Sequence, residues 1–267
     1  MRAYFSVFRL KLATGFQYRS AALAGIATQF FWGFIILMVY QAFYSQPLAD
    51  PPISLTQIVT YIWLQQAFLS FIALWFRDNE LFQLITTGNI AYELCRPSGL
   101  YGLWYAKLLA QRLSSAALRC FPILVIALLL PSPYRLVLPH TPATALLFLL
   151  ALILGLFILV AISMLIYIST FITMSSAGSL LMFGVAGEFL AGMIVPVPLM
   201  PAWLQSIVYA LPFRLAADFP FRVYSGHIST NEALTTLPIQ LLWLAALVLI
   251  GRFAMGKALR RVVIQGG

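Results

Sequence analysis

The chain has few charged residues for its length. Asp, Glu, Lys and Arg make up 9% of its 267 residues, whereas about 25% is usual in a soluble domain. Apolar residues make up 62%, which is more than the interior of a soluble fold of this size can bury. The shortage of charge therefore excludes an ordinary soluble domain and indicates a protein embedded in a lipid bilayer.

Cysteine and histidine are also scarce, with two residues of each type. Cys95 and Cys120 are too few for a disulfide framework or a zinc site, and His140 and His227 lie far apart without neighbouring acidic residues. The sequence has no serine in a nucleophile-elbow pattern and no repeated aspartates of the lipid phosphotransferase kind. We therefore predict that the chain is not an enzyme, has no catalytic residue and binds no metal or cofactor itself.

One segment imitates a nucleotide-binding loop. Gly251 to Lys257 reads GRFAMGK, which has the spacing of a phosphate loop. However, Ala258 follows where a serine or threonine is needed for magnesium, and no strand precedes the segment. We conclude that the match is accidental and that this chain does not hydrolyse ATP by itself.

Long apolar runs dominate the sequence. A helix needs about 20 apolar residues to cross the hydrocarbon core of a bilayer. Six such runs occur, at residues 21–43, 57–76, 107–130, 143–171, 177–195 and 233–251. Arg112 and Arg119 lie inside the third run, and Glu188 lies inside the fifth. We predict an all-α polytopic membrane protein in which these runs form six transmembrane helices of a single domain, residues 1–267.

The positions of the basic residues set the predicted orientation, because lysine and arginine concentrate in cytoplasmic loops. With the N-terminus inside, twelve basic residues lie on the cytoplasmic side and only three, Arg135, Arg214 and Arg222, lie on the other side. We therefore predict that both termini are cytoplasmic. The net charge of +9 is divided among loops rather than gathered in one stripe, so we do not expect nucleic-acid binding.

The N-terminal segment, residues 1–20, places Phe5, Phe8, Leu12 and Phe16 at helical spacing beside basic residues. Apolar residues interrupt its polar face, so the amphipathic pattern is imperfect. The pattern still favours a helix that lies in the membrane interface beside anionic headgroups. The alternative is a basic tail without this structure.

A second segment outside the spans, residues 78–88, lies on the predicted cytoplasmic side. Acidic residues open it, Leu81, Leu84 and Ile85 share one face of a short helix, and Gly88 ends it. This apolar face needs either the membrane surface or a partner protein to pack against. The acidic residues at its start would be repelled by anionic lipid, which favours a protein partner.

A third segment, residues 196–213, is apolar and interrupted by prolines. Trp203, Ile207 and Leu211 fall at helical spacing between them. A broken apolar stretch that follows a span predicts re-entrant or interfacial helices on the outer side. Such a backbone must be sheltered by protein or line a cavity.

Polar side chains inside the predicted spans are candidates for a function. Arg119 and Glu188 reach similar depths, so we predict a buried ion pair between the third and fifth spans. Two alternatives remain: Glu188 faces a substrate, or Arg119 extends along its helix toward the interface. Gln29, Gln65 and Gln66 either hydrogen-bond between helices or, together with Glu188, line a substrate path.

At Gly192–Phe213 (GMIVPVPLMPAWLQSIVYALPF) and Glu80–Pro97 (ELFQLITTGNIAYELCRP) the sequence resembles the permease subunits of type-two ABC exporters. The second stretch is particularly similar to a subfamily of small permeases. The resemblance covers nearly the whole chain. It implies an elbow helix at residues 1–20, a coupling helix at 78–88 and re-entrant helices at 196–213.

The resemblance also implies how such a protein works. Two permeases, identical or related, would form the pathway, and two cytoplasmic ABC ATPase subunits would bind ATP and Mg²⁺ and drive export of a hydrophobic or amphiphilic substrate. Leu81, Phe82 and Ile85 would insert into a groove of an ATPase subunit, with Asp78 and Glu80 near its rim. The location implied is the bacterial inner membrane. The rival from a different class is an energy-independent channel or assembly scaffold.

Overall fold

The computed structural model describes residues 2–45, 51–75, 78–173 and 176–260. Every regular element in these ranges is helical, which confirms the predicted all-α class. The helices are α1 (Arg2–Gly15), α2 (Arg19–Tyr44), α3 (Leu55–Ala67), α4 (Leu69–Ile72), α5 (Asn79–Thr86), α6 (Ile90–Leu94), α7 (Leu100–Leu129), α8 (Pro142–Thr173), α9 (Ser176–Leu190), α10 (Ala202–Ala210), α11 (Asp218–Tyr224) and α12 (Thr230–Leu259). Short 3₁₀ turns occur at Val197–Leu199 and Phe213–Leu215.

Four of these helices, α2, α7, α8 and α12, are long and apolar enough to cross a membrane. They contain most of the first, third, fourth and sixth predicted spans. The other two predicted spans do not form one long helix in the described residues. Residues 57–76 are divided between α3 and the single turn α4, and α9 has only 15 residues because the chain turns at Gly192, whose φ is 78°.

The core is organised around α8, which packs against α7, α9, α11 and α12. Its contact with the segment between α9 and α12 is close, because a Cβ atom on Gly155 would lie 2.8 Å from the Ala216 carbonyl oxygen. Gln240 on α12 is fully buried and donates hydrogen bonds to the carbonyls of Ala151 and Leu215, both at 2.8 Å. Small residues and interhelical hydrogen bonds of this kind hold helices together where lipid offers no hydrophobic driving force.

Helix α1 packs lengthwise along the first half of α7 rather than standing alone. The Tyr4 hydroxyl accepts a hydrogen bond from the Gly99 N–H at 3.0 Å, and Gly15 contacts Ser114, so the two helices run parallel. Of the predicted apolar stripe, Phe5 is 68% exposed within the chain. Phe16 of the same stripe is also exposed, whereas Phe8 and Leu12 are half-buried.

The proline-rich segment folds into short helices against the N-terminal half of α3. The Tyr61 hydroxyl donates to the Gly192 carbonyl at 2.9 Å and contacts the Asp218 carboxylate at 3.4 Å. Asp218 is fully buried, forms an ion pair with Arg222 at 3.2 Å, and accepts from the Val197 N–H at 3.3 Å. The segment is thus fixed to α3 by a buried polar network.

Candidate functional site at the broken second helix

The second predicted span is broken near its C-terminal end. α3 begins at a capping box in which Ser54 and Gln57 exchange hydrogen bonds of 3.0 and 3.3 Å. It ends at Phe68, one turn of α4 follows, and Ala73 is already extended, with ψ at 124°. A helix end leaves its last carbonyl groups without intrahelical partners, so a break inside a membrane protein needs side chains to satisfy them.

Arg112 on α7 supplies those partners. Its Nη1 group donates to the carbonyl oxygens of Ser70, Phe71 and Ala73 at 3.3, 3.1 and 2.8 Å. Its Nη2 group donates to the Ser163 Oγ atom on α8 at 3.1 Å. The side chain is only 1% exposed. A cation at the C-terminal end of a helix also interacts favourably with the helix dipole.

Glu188 on α9 binds the next stretch of the same break. Its Oε1 atom accepts from the N–H groups of Leu74 and Trp75 at 3.1 and 3.4 Å. The predicted pair with Arg119 is not formed, and no ion pair in the described ranges includes Arg119. The Arg119 guanidinium lies against Gly25 of α2 instead. The Glu188 carboxylate therefore accepts hydrogen bonds from backbone N–H groups at the break. The sequence prediction compared the depths of residues along continuous helices, and such a comparison does not reveal these donors.

Helix α5 begins directly after the break and is packed onto α8. The Asp78 side chain caps it by accepting from the Glu80 N–H at 2.9 Å, and the Asp78 N–H donates to the Tyr167 hydroxyl at 2.6 Å. The Phe82 and Tyr167 rings lie 4.3 Å apart. Backbone and side-chain contacts thus connect α5 to α8 at the point where the second span ends.

The apolar face of α5 points into this chain. Leu81, Phe82 and Ile85 are 0%, 4% and 4% exposed, so they are not free to insert into a partner's groove as the sequence analysis predicted. The amphipathic pattern was interpreted correctly as a short helix. Its apolar side is covered by the chain's own α8 rather than by another protein.

The outward surface of α5 and α6 carries different residues. Gln83 and Asn89 are exposed there, Leu94 is 38% exposed, and Tyr92 is 76% exposed. Ile90 and Glu93 face inward and therefore place Tyr92 on the opposite side of the same short helix. Tyr92 could not be singled out from the sequence, because a buried glutamate at position 93 is not expected from the pattern.

A surface ion pair connects α1 to the start of α5. The Lys11 Nζ atom lies 2.6 Å from Glu80 Oε2 and 3.7 Å from Asp78 Oδ2. The hydrogen bond from Lys11 holds the pKa of the Glu80 carboxyl below its usual value, despite partial burial that acts in the opposite direction. Asp78 and Glu80, which the sequence predicts near the rim of a groove on a partner, therefore both pair with Lys11 of α1.

The three glutamines of the predicted substrate path have different surroundings. Gln65 donates from its Nε2 atom to the Met193 carbonyl, while Gln66 packs against Gly33 on α2. Gln29 is 3% exposed, and neither polar atom of its amide has a hydrogen-bond partner in the part of the chain that the structure describes. Gln65 therefore has a structural contact, and Gln29 is the unsatisfied member of the set.

The segment that imitates a phosphate loop lies inside α12. Residues Gly251 to Lys257 are all helical, so their backbone N–H groups belong to the helix and do not form a cradle for phosphate. This geometry agrees with the interpretation of the match as accidental.

These features define a polytopic helical membrane protein with a charged joint between a broken apolar segment and the short helix α5. Residues 30–266 match the family described as ABC-2 family transporter protein. The chain belongs to this family and is a type-two ABC permease, a membrane component of an ABC transporter that has ATPase partners. Comparisons with curated proteins and with solved structures gave no match.

Proposed function

We propose that this chain is the permease subunit of an exporter that moves a hydrophobic or amphiphilic substrate, driven by ATP hydrolysis on separate subunits. The observation that carries the proposal is the joint at residues 70–75, where Arg112 and Glu188 hold the broken end of the second span next to α5. A force applied to α5 from the cytoplasm acts directly on this joint. Family membership supports the same role.

The proposed topology has six crossings, with both termini in the cytoplasm of a bacterial inner membrane. α9 runs from the cytoplasmic side to Leu190, about 22 Å at 1.5 Å per residue, and the carbonyl of Gly192 just beyond it is bound by Tyr61. Tyr61 lies about 9 Å along α3 from its outer end, taking 1.5 Å per residue. The short helices of residues 196–213 then fill the outer half as re-entrant elements. The buried Asp218 network supports this arrangement, because backbone at membrane depth must be sheltered by protein.

The proposed assembly contains two permeases, identical or related, and two ABC ATPase subunits that bind ATP and Mg²⁺. The ATPase contacts the outward surface of α5 and α6, with Tyr92 as the aromatic anchor and Gln83 and Asn89 around it. Aromatic residues surrounded by polar ones commonly dominate protein interfaces. Leu81, Phe82 and Ile85 have a different role in this proposal, because they transmit movement of α5 to α8.

The coupling step follows from these contacts. Closure of the ATPase dimer pushes α5, which is held to α8 through the Phe82–Tyr167 contact and to the second span through residues 70–75. Because these groups are close-packed and hydrogen-bonded, displacement of α5 moves the helices together rather than deforming one of them. Movement of these helices would open the buried amide of Gln29, which has no hydrogen-bond partner among the described residues, to the resulting path.

The experiment that tests this function distinguishes an ATP-driven permease from an energy-independent channel or scaffold. The full chain is purified in mild detergent together with any bound subunits, and Mg²⁺-dependent ATP hydrolysis is measured. The proposal predicts an ABC ATPase in the complex, identified by peptide mass, and vanadate-sensitive hydrolysis. A chain that purifies without an ATPase and conducts solutes without ATP would instead be a channel.

A further inference from the structure

Helix α6 is held to the fold by few side chains. It shares no extended contact with a longer helix in the described ranges, and only Ile90 and Glu93 among its residues are buried. Residues 95–99, which join it to α7, are non-helical and mostly exposed. A bent, exposed connection can absorb a displacement of α6, so chain connectivity alone does not make α6 and α7 move together.

The Glu93 carboxylate connects α6 to α7 directly. Its Oε1 atom lies 3.3 Å from the Lys107 Nζ atom, and the two side chains are only 8% and 7% exposed. Arg96 also approaches this oxygen, at 3.4 Å, but its side chain is 54% exposed, so water screens its charge. The Oε2 atom is buried and has no hydrogen-bond partner among the described residues. Lys107 is therefore the main compensation for the buried carboxylate.

Burial makes this ion pair a stiff connection. Separating two buried charges leaves each without a partner in surroundings that solvate it poorly, which costs far more than separating two charges in water. The Lys11–Glu80 pair, whose side chains are 29% and 57% exposed, can part and be hydrated instead. A displacement of α6 therefore carries α7 with it rather than breaking the Glu93–Lys107 pair.

Helix α7 connects this pair to the break in the second predicted span. Lys107 and Arg112 are five residues apart on α7, about 7.5 Å at 1.5 Å per residue. Arg112 donates to the backbone carbonyls at the break. On the other side of α6, Tyr92 is exposed and directly precedes Glu93. The path from the proposed ATPase surface to the break therefore contains, in order, Tyr92, Glu93, Lys107 and Arg112.

We propose that the Glu93–Lys107 ion pair is a second coupling element, which transmits ATPase-driven movement of α6 to α7 and, through Arg112, to the joint at residues 70–75. It acts beside the contact between α5 and α8, so the joint is reached by two routes. The inference rests on the proposed function, because the force comes from an ATPase bound at Tyr92. Glu93 and Lys107 are positioning residues that act through α7.

The test measures hydrogen–deuterium exchange in the full chain, purified with its ATPase in mild detergent, before and after trapping with ADP, Mg²⁺ and vanadate. Peptides from residues 79–86 report on α5, and peptides from residues 100–112 report on α7. In the parent complex we expect trapping to change exchange in both helices. In the double variant Glu93→Met with Lys107→Met, the change in α5 should remain. The change in α7 should fall severalfold, because an uncharged pair can slide.

Replacing both partners separates coupling from folding. A buried ion pair can often be replaced by apolar residues of similar size without loss of stability, whereas removal of one partner is destabilising. We therefore expect the double variant to keep the parent's melting temperature and its bound ATPase, and Lys107→Met alone to melt at a lower temperature. Lys107→Arg keeps the ion pair and should show the parental response in α7. Arg96→Gln, the matched control, removes only the exposed partner and should leave that response unchanged.

An α7 response in the folded double variant equal to that of the parent would overturn the inference, as would a parent complex that responds in α5 and not in α7. Loss of the ATPase from the folded double variant would overturn it too, because the pair would then serve docking. Glu93→Leu with Lys107→Met provides a second uncharged pair. If neither uncharged pair folds, the ion pair is required for folding and the coupling role is refuted. A parent chain that purifies without an ATPase would contradict the proposed function itself, so the two failures are distinguishable.

Discussion

Arg112 and Glu188 bind opposite kinds of backbone group at one break in the second predicted span. Arg112 donates to the carbonyls of residues 70, 71 and 73, and Glu188 accepts from the N–H groups of residues 74 and 75. The two charges lie on different helices, α7 and α9, so the break is held from two sides. These two charged residues thus bind backbone groups that have no partner in a helix, and they do not serve as partners for each other.

Removing Arg112 should destabilise the protein strongly. Arg112→Met leaves the carbonyls of residues 70, 71 and 73 without this donor, which should cost about 3 kcal/mol or more of unfolding free energy. Intrinsic fluorescence during chemical unfolding in detergent gives that quantity. Arg119→Met is the matched control on the same helix and should lose less than about 1 kcal/mol, since its buried Nε atom binds no carbonyl among the described residues. Equal losses in the two variants would contradict the role given to Arg112.

Glu188 should tolerate one substitution and not another. Glu188→Gln keeps an oxygen acceptor for the N–H groups of Leu74 and Trp75, whereas Glu188→Leu removes it. We expect a small loss for the glutamine variant and about 1–3 kcal/mol for the leucine variant, measured by the same unfolding assay. A stable Glu188→Gln variant that cannot export would instead place this residue in the substrate path.

Polar substitutions on the inward face of α5 should damage folding rather than docking alone. Ile85→Asp puts a charge at a position that is 4% exposed and packed within the chain. We expect a low yield of monodisperse protein and a melting temperature far below that of the parent, because a buried charge without a partner is costly. Gln83→Asp, on the exposed face of the same helix, should fold normally. An intact Ile85→Asp protein that has lost only its ATPase would restore the original interpretation of this face.

The Lys11–Glu80 pair predicts a small dependence of stability on pH. Lys11 lowers the pKa of Glu80 in the folded protein, so the stabilisation is fully present above the ordinary value of 4.5 and is lost as pH falls through the lowered pKa. Because Glu80 is largely exposed, the effect should be below about 1 kcal/mol. Glu80→Gln should remove this acid-side difference when melting temperatures are compared on either side of that value. An identical pH profile in both proteins would show that the pair does not contribute.

The sequence predicted the helical class and the long spans well, since uninterrupted apolar runs leave few alternatives. It did not reveal the break at residues 68–75, because the run LQQAFLSFIALW contains neither glycine nor proline. Arg112 stabilises the break through contacts with other helices, and such contacts leave no local pattern in the sequence. The same limitation explains the incorrect Arg119–Glu188 pair. Amphipathicity located α5 correctly, but a hydrophobic face is equally suited to the chain's own core and to a partner.

The central claim is that an ABC ATPase drives this permease through the outward surface of α5 and α6, and Tyr92→Asp tests it most directly. The tagged full chain is isolated in mild detergent, and bound ABC ATPase is quantified by peptide mass and by Mg²⁺-dependent ATP hydrolysis, with Tyr92→Phe as the matched control. Loss of an anchor worth about 2 kcal/mol or more should reduce bound ATPase at least tenfold, with the melting temperature of the permease unchanged. Full ATPase binding by a folded Tyr92→Asp protein, or none by the parent chain, would contradict the account.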